Sequence, residues 1–462
     1  MKIVQIMTAA AAPLALCACA LAPPPAKVAA PVPAQWMAAP AHNGSVTDLA
    51  HWWQRQGDPL LVQLIDSAQA ASPTVSAARA RIAQSRAERV AAGAALLPSV
   101  DAAASISRTN QQSFLPTGTT SQAAFQASWE LDLFGARRAG RRAAEERLAG
   151  AQAGWHEARV SVAAETANQY YALRACTMLL AVAEQDQASR ADTARLTQLS
   201  ADAGFQSPAT AALARASAAE GKSRATQQRA LCDIDVKALV ALTALPEPEL
   251  RQKLAAAAPV PAAPIEISAL PAQTLAQRPD VFNAEREVAA ASADVGGAQA
   301  DRYPRLSLQG SVGAANFRTG GENTKLDTWT IGPLALTVPV FDAGRRSANV
   351  DAARARYDNA VVSYRAAARQ AVREVEEALV TLNSTAARTG DAEVALEGYR
   401  YSFVATEELY KNGLASLIQL EDVRRTRLAA ENAVVTLQRE RNAAWIALYR
   451  AAGGGWNAAA TN

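Results

Sequence analysis

A two-residue alternation of apolar and polar positions runs through four stretches of the chain. In LPSVDAAASISRT, Val100, Ala102, Ala104 and Ile106 fall on one face and Ser99, Asp101, Ser105 and Ser107 on the other. FQASWELDLF sets Phe125, Ala127, Trp129, Leu131 and Leu133 against Gln126, Ser128, Glu130 and Asp132. Farther on, RLSLQGSVGA sets Leu306, Leu308 and Val312 against Ser307, Gln309 and Ser311. TWTIGPLALTVPV alternates through Trp329 and Ile331, then changes phase at Gly332–Pro333, as a β-bulge does. Side chains of a strand point alternately to its two faces, so each run predicts a strand with one apolar face. Each is roughly ten residues, the length a membrane-crossing strand needs. The joining segments QQSFLPTGTTS and NFRTGGENTKL are polar and contain Gly, like exposed loops.

After each pair of strands comes a very long helical run. No Gly or Pro lies between Gly154 and Gly204, and no Pro between Pro116 and Pro208. A helix from about Gly135 to Ala203 is predicted, on the order of 100 Å long at ~1.5 Å per residue. DAGFQSP (Asp202 to Pro208) breaks it, and a second Ala-rich run continues to about Leu245, so the pair reads as an antiparallel helical hairpin. The plan recurs: a long helix opens near Val350, YKNGLASL (Tyr410 to Leu417) breaks it, and a last helix runs to Tyr449 before Gly453–Gly455. Gly390 falls inside the long run as a bend or a break. The junctions ELDLFGARRAGRR and TVPVFDAGRRSAN echo each other. Taking Phe134 and Phe341 as equivalent gives a repeat of 207 residues, too long for a solenoid unit and so a duplicated domain. Cys176 and Cys232 lie at equal distances on either side of Gly204, at similar heights on adjacent helices, the arrangement a disulfide needs in an oxidising compartment.

The expected organisation is therefore a signal segment over 1–18 and a Pro/Ala-rich tether with an N-terminal segment over 19–57. A first repeat covers 58–245, with a β-hairpin at 98–134 and a helical hairpin at 135–245. A linker over 246–270 leads to a second repeat over 271–456, with a β-hairpin at 304–341 and a helical hairpin at 343–452, and a tail over 457–462. The fold class is mixed and mainly α. Half of the residues are apolar but only 5% aromatic, and Ala dominates, which suits long closely packed helices rather than a thick core. A net charge of +3 demands neither nucleic acid nor an acidic substrate. His42, His51 and His156 are scattered and offer neither a ligand set nor a nucleophile–base pair; no metal, cofactor or catalytic constellation is expected, and no G-x-S-x-G, HExxH or phosphate loop occurs.

The N-terminus carries Lys2 and then the short apolar IVQIMTAAAAPLALCACA, a secretory signal rather than a membrane span. LCAC resembles a bacterial lipoprotein box. Cys19 fits it better than Cys17, which follows the bulky Leu16; the alternative is an ordinary signal peptide cut near Ala22. LAPPPAKVAAPVPAQ is too rich in Pro for a helix and predicts an extended tether, which a lipid on Cys19 would turn into a leash.

Four strands cannot close a transmembrane barrel, and lipid tolerates no open sheet edge. If the strands cross a membrane, several chains share one barrel, eight strands for two copies and twelve for three. Here the chain resembles the TolC-like outer-membrane efflux family, and within it the OprM-like (NodT-type) lipoproteins of RND-type systems. The matching stretches are WELDLFGARR, RPDVFNAE, YPRLSLQGSVG, VPVFDAGRR, YKNGLASLIQLEDVRRT and GGGW, in an order that covers nearly the whole chain. The resemblance implies a homotrimer with a twelve-stranded β-barrel in the outer-membrane lipid, continued by a helical barrel in the periplasm. It implies an exit duct served by a periplasmic adaptor and an inner-membrane RND-type transporter. It also implies that the adaptor docks on the tips Gly204, Phe205, Gln206 and Ser207, and Gly413, Leu414, Ala415 and Ser416. The family's usual LLDAQR is here LEDVRR, which assigns Asp422 to the periplasmic gate with Arg425, and with Glu421 in place of an apolar residue. Leu213 and Ala216 stand at the equivalent places of the first repeat. The rival reading is a lipid-anchored coiled-coil adaptor or scaffold protein, which would lack either the duplication or the alternating strands.

Overall fold

The computed structural model describes residues 22–33, 36–38, 49, 51–110, 117–256 and 275–456, so Cys17, Cys19 and His42 lie outside the described residues. The elements are α1 (Pro59–Ala71), α2 (Pro73–Ala94), β1 (Ser99–Thr109), β2 (Gly118–Leu131), α3 (Ala136–Asp202), α4 (Pro208–Thr243), α5 (Glu247–Ala256), α6 (Pro279–Ala300), β3 (Arg305–Thr319), β4 (Glu322–Thr337), α7 (Arg345–Lys411) and α8 (Leu417–Ala451). Hairpin, long helix and return helix thus occur twice. α3 and α7 are each 67 residues, and α7 runs through Gly390 without a break. The chain divides into two compact units, one holding the strands and the adjoining helix ends, the other the remaining helices.

The strand unit is a four-stranded antiparallel sheet in the order β1-β2-β3-β4. Residues paired directly across neighbouring strands share a face, and the register makes rows of them. Leu131, Leu306 and Leu336 form one row, followed by Trp129, Leu308 and Leu334. Next come Ala127, Gly310 and Ile331, then Phe125, Val312 and Trp329, with Val100 and Ala102 extending the same rows on β1. The pairing slips between Leu308 and Gly310, opposite Gly332–Pro333, which keeps Trp329 and Leu334 on one face despite their odd spacing. This face is apolar and open: Ile331 is 85% and Trp329 72% exposed. The reverse face carries Asp101, Gln126, Ser311 and Thr330 in one row.

Each second strand ends in a corner built by an aspartate. Asp132 accepts hydrogen bonds from the Arg137 and Arg138 amides at 3.1 and 2.9 Å, and from the Arg138 guanidinium at 3.1 Å. Asp342 accepts from the Gly344 and Arg346 amides at 3.1 and 3.2 Å and from the Arg346 guanidinium at 2.8 Å. A carboxylate here satisfies amides that a helix leaves unbonded in its first turn, and it opposes the positive end of the helix dipole. Gly135 and Gly344 take φ of +83° and +86°, which a side chain would resist. The second corner is two residues longer, because Asp342 and Ala343 separate Phe341 from Gly344 where Phe134 adjoins Gly135 directly. Phe134 stacks on Tyr303, with ring centroids 4.9 Å apart, whereas Phe341 is 89% exposed. Below the sheet, Val288, Ala291 and Val295 of α6 pack on Ala353, Tyr357 and Ala360 of α7.

The helical unit has its main core where α1, α3, α4, α5, α7 and α8 meet, around Leu61, Leu64, Tyr170, Leu239, Leu250, Leu379 and Ile446. Ala163, Ala167, Ala378 and Ala444 lie among them, small enough to bring long helices close together. Trp52 and Trp53, in a single helical turn before α1, meet Tyr449, Trp52 stacked on its ring and Trp53 edge-on to it. Arg278 of the RPDVFNAE stretch is buried and forks onto Asp280 at 2.9 and 2.6 Å, reaching Glu374 at 2.7 Å and the Ala451 carbonyl at 3.0 Å. Gly453 closes the same region: a Cβ there would lie 2.0 Å from the Gln277 carbonyl oxygen.

Two sequence expectations are corrected. The Pro-rich tether is extended but fastened: the Pro24 and Pro25 carbonyls accept from Ser292 and Tyr357 at 2.6 and 2.8 Å, and the Met37 and Ala38 amides donate to Glu376 at 2.7 and 2.8 Å. An extended segment without internal hydrogen bonds has its carbonyls free for such contacts. The expected linker over 246–270 contains α5, because Leu250 is fully buried in the core and holds that segment helical.

Cys176 on α3 and Cys232 on α4 are bonded, with Cα atoms 5.5 Å apart and a sequence separation of 56. Closing a loop of that length is worth up to about 4 kcal/mol in the unfolded-chain model. Replacing both with Ser should lower the thermal midpoint of the detergent-solubilised protein by on the order of 5–10 °C, and reduction of the wild type should do the same. A midpoint that neither treatment moves would contradict this assignment.

Candidate functional site at the helix tips

Both helical hairpins reverse by the same local chemistry. At the first tip the Phe205 amide donates to the Ser200 carbonyl, and Ser207 caps α4 by accepting from the Thr210 amide at 3.1 Å. At the second, the Leu414 amide donates to the Leu409 carbonyl. Ser416 and Gln419 there form a reciprocal capping box, with bonds of 3.2 and 2.8 Å. Such caps fix the turn without any apolar packing, which leaves Phe205 84% and Leu414 75% exposed. Gly204, Gln206, Gly413 and Ala415 complete the two turns.

From about one to four turns in from the tips, charged residues occupy the interior. Arg424 of α8 is fully buried and Asp186 of α3 is 2% exposed. Arg190 bonds Asp186 at 2.8 Å and also holds Ser217 of α4 and Glu421 of α8. Arg424 holds Glu421, donates to Ser189 and Thr193 at 3.1 and 3.0 Å, and comes within 4.0 Å of Asp186. Burial pushes the Arg424 guanidinium below its usual value; Glu421 opposes this, Arg190 adds to it, and Asp186 opposes it. Arg427 lies 3.9 Å over the Phe403 ring, and Glu431 accepts from Arg400 at 3.0 Å. The Thr197 and Tyr410 hydroxyls meet at 2.6 Å. Four helices are therefore joined near the tips largely by ions and hydroxyls, beside a small apolar cluster of Ala194, Ala214 and Leu417 and the buried Leu420 and Phe403.

This arrangement separates the three residues assigned to the gate. Asp422 and Arg425 pair with each other at i and i+3 on the solvent side, 62% and 77% exposed. Glu421 points the other way, into the ionic interior of its own chain, and does not join Asp422. The difference is helical geometry: adjacent residues sit about 100° apart around the axis. Asp186, Arg190 and Arg424, which complete the interior, were not singled out by the sequence, where polar residues in a long helix look like a solvated face. Their one signal is that Arg424 follows Glu421 by three, a spacing that permits pairing.

Removing one partner of a buried ion pair leaves the others uncompensated, at a cost of about 3 kcal/mol, whereas an exposed pair is worth under about 1 kcal/mol. Glu421→Ala should therefore destabilise the protein clearly more than Asp422→Ala in denaturant melts. It should also speed amide hydrogen exchange in 186–197, and equal effects of the two substitutions would contradict the geometry.

Comparison with known proteins agrees with the architecture. The family model described as outer membrane efflux protein matches residues 64–245 and 270–454, each containing one strand hairpin and one helical hairpin. The chain is 29% identical to the pyoverdine export outer membrane protein OpmQ of Pseudomonas aeruginosa, covering 96% of this chain and 95% of that one. It is also 29% identical to the toluene efflux pump outer membrane protein TtgI of Pseudomonas putida, over 96% and 97%. Among solved structures, the outer-membrane channel OprN superposes with a TM-score of 0.81 at 25% identity, covering 94% of this chain and 99% of that one. The Campylobacter jejuni CmeC outer membrane channel superposes at 0.84 with 22% identity, over 94% and 95%. A match of both repeats sets aside the adaptor and scaffold readings. The chain belongs to the outer membrane efflux protein family and is an efflux channel of the outer membrane that extends into the periplasm.

Proposed function

We propose that three copies of this chain share one twelve-stranded barrel and act as the passive exit duct of a tripartite pump. The observation that carries this reading is a four-stranded sheet with an open apolar face, leading through aspartate-built corners into two helices of 67 residues. Apolar side chains at 72–85% exposure need lipid, and a sheet ending at β1 and β4 needs neighbours. Trimerisation meets both needs. The duct performs no chemistry, so the chain is not an enzyme. An inner-membrane transporter of the RND type supplies energy, and a periplasmic adaptor seats on the exposed tips, 204–207 and 413–416. Cys19 takes the lipid anchor. The names of the relatives, one exporting pyoverdine and one toluene, indicate that ducts of this kind pass chemically diverse small compounds. For this chain the cargo is proposed to be drugs or other small toxic compounds chosen by the transporter.

Asp422 is the proposed gate residue. Its carboxylate is exposed and, among the described residues, held only by Arg425, so three copies bring three such pairs to the narrow periplasmic end. A ring of carboxylates there favours cations and resists anions. Glu421 has a different part, bracing the helices behind the gate through Arg190 and Arg424. Asp422→Ala should raise single-channel conductance in planar bilayers and admit large antibiotics from outside. Conductance unchanged across several ionic strengths would contradict the gate.

A further inference from the structure

The strands continue past their apolar band, and the same face changes chemistry there. Above the row of Ala123 and Ala314, the register aligns Ile106, Ser121, Asn316 and Lys325, and then Arg108, Thr119, Arg318 and Asn323. Three cations therefore share one face on adjoining strands. Arg108 and Arg318 are separated by β2 alone, about 10 Å at the ~4.8 Å strand spacing; Lys325 stands one strand and one row from Arg318, about 8 Å away. All three are exposed. None is ion-paired among the described residues. Asp327, one row below Lys325, is the acidic residue of this face nearby, so the patch keeps an excess of positive charge. Residues 111–116 contain no charged side chain.

Two observations say what this patch faces. Between the two cation rows the reverse side of the sheet carries Ser107, Thr120, Phe317 and Thr324, none of them charged, and in the row beyond, Thr109, Gly118, Thr319 and Glu322, the one charge is acidic, so the cations lie on the face that continues the apolar band. The height also fits. From the Leu131 row to the Ser121 and Thr119 rows is ten to twelve residues, ~33–40 Å along a strand and about 25–30 Å along the membrane normal at a ~40° tilt. That is one hydrocarbon thickness away from the helical end, at the level of the outer headgroups.

We infer that Arg108, Arg318 and Lys325 form a binding surface for the phosphate groups of the phosphorylated glycolipid in the outer leaflet. Arginine forks hold phosphate oxygens two at a time, lysine adds a mobile point charge, and Thr119, Ser121, Asn316 and Asn323 stand between them as neutral hydrogen-bonding groups. Apolar side chains just below would meet the acyl chains of the same lipid. The inference rests on the reading that the strands cross the membrane.

The test is native mass spectrometry of the full-length protein, with diphosphorylated lipid A, its dephosphorylated form and phosphatidylglycerol as probes, and conductance recorded on the same preparations. Wild type should retain diphosphorylated lipid A about tenfold or more over the other two. The Arg108→Gln/Arg318→Gln/Lys325→Gln variant should lose that preference while still conducting. A wild type that conducts but shows no phosphate preference, or a variant that keeps it, would overturn this inference alone. The comparison of lipids on wild type decides the matter even if the variant does not assemble. A wild type that neither conducts nor stays in a bilayer would overturn the membrane reading with it.

Discussion

The constraint on which this molecule depends is the backbone hydrogen bonding of its two outer strands. β1 and β4 each pair on one side only, so a single chain carries two rows of amides and carbonyls without sheet partners. In water these groups would be solvated, but in hydrocarbon each unmet group costs several kcal/mol. The open apolar face requires hydrocarbon, and the open edges forbid it unless other chains close the ring. Association and membrane insertion are thus one problem for this sequence, and the corners at Asp132 and Asp342 are where it ends. There the aspartates bond the first amides of α3 and α7, so strand can turn to helix with those amides satisfied.

Within the helical unit, different forces act at different places. The core around Leu61, Tyr170, Leu379 and Ile446 is apolar, tightly spaced by alanines and stapled by the Cys176–Cys232 bond. Toward the tips, Asp186, Arg190, Glu421 and Arg424 take over. A buried ionic set gains little net stability over well-packed apolar residues, because desolvation offsets most of the attraction. What it supplies is directionality, since each charge accepts few positions. The exposed Asp422–Arg425 pair, one helical step away, has no such restriction.

The parts of the structure that were legible in the sequence are those set by local periodicity. The alternation through Trp129 and Val312 fixed the strands and their lipid face. The phase change at Gly332–Pro333 marked the slip in register, and the Gly-containing breakers marked both tips. What stayed hidden depends on partners far away in sequence. Glu421 could not be separated from Asp422 without knowing that Arg190, 231 residues earlier, lies behind it. Pro24 and Pro25 suggested a free tether because composition cannot show that Ser292 and Tyr357 offer them hydroxyls. The stretch after Leu245 was expected to be a linker, while Leu250, fully buried, and Leu254, packed on the same core, hold a helix there. Arg108 is distant in sequence from Arg318 and Lys325 and becomes their neighbour only through strand register.

The most direct measurement of the central claim is the native mass of the protein extracted with mild detergent from the outer-membrane fraction. Shared closure of the sheet predicts a stable trimer, three chains and twelve strands with no free edge. A monomer of undiminished structure in the same detergent would mean that β1 and β4 need no partner, and would contradict the account.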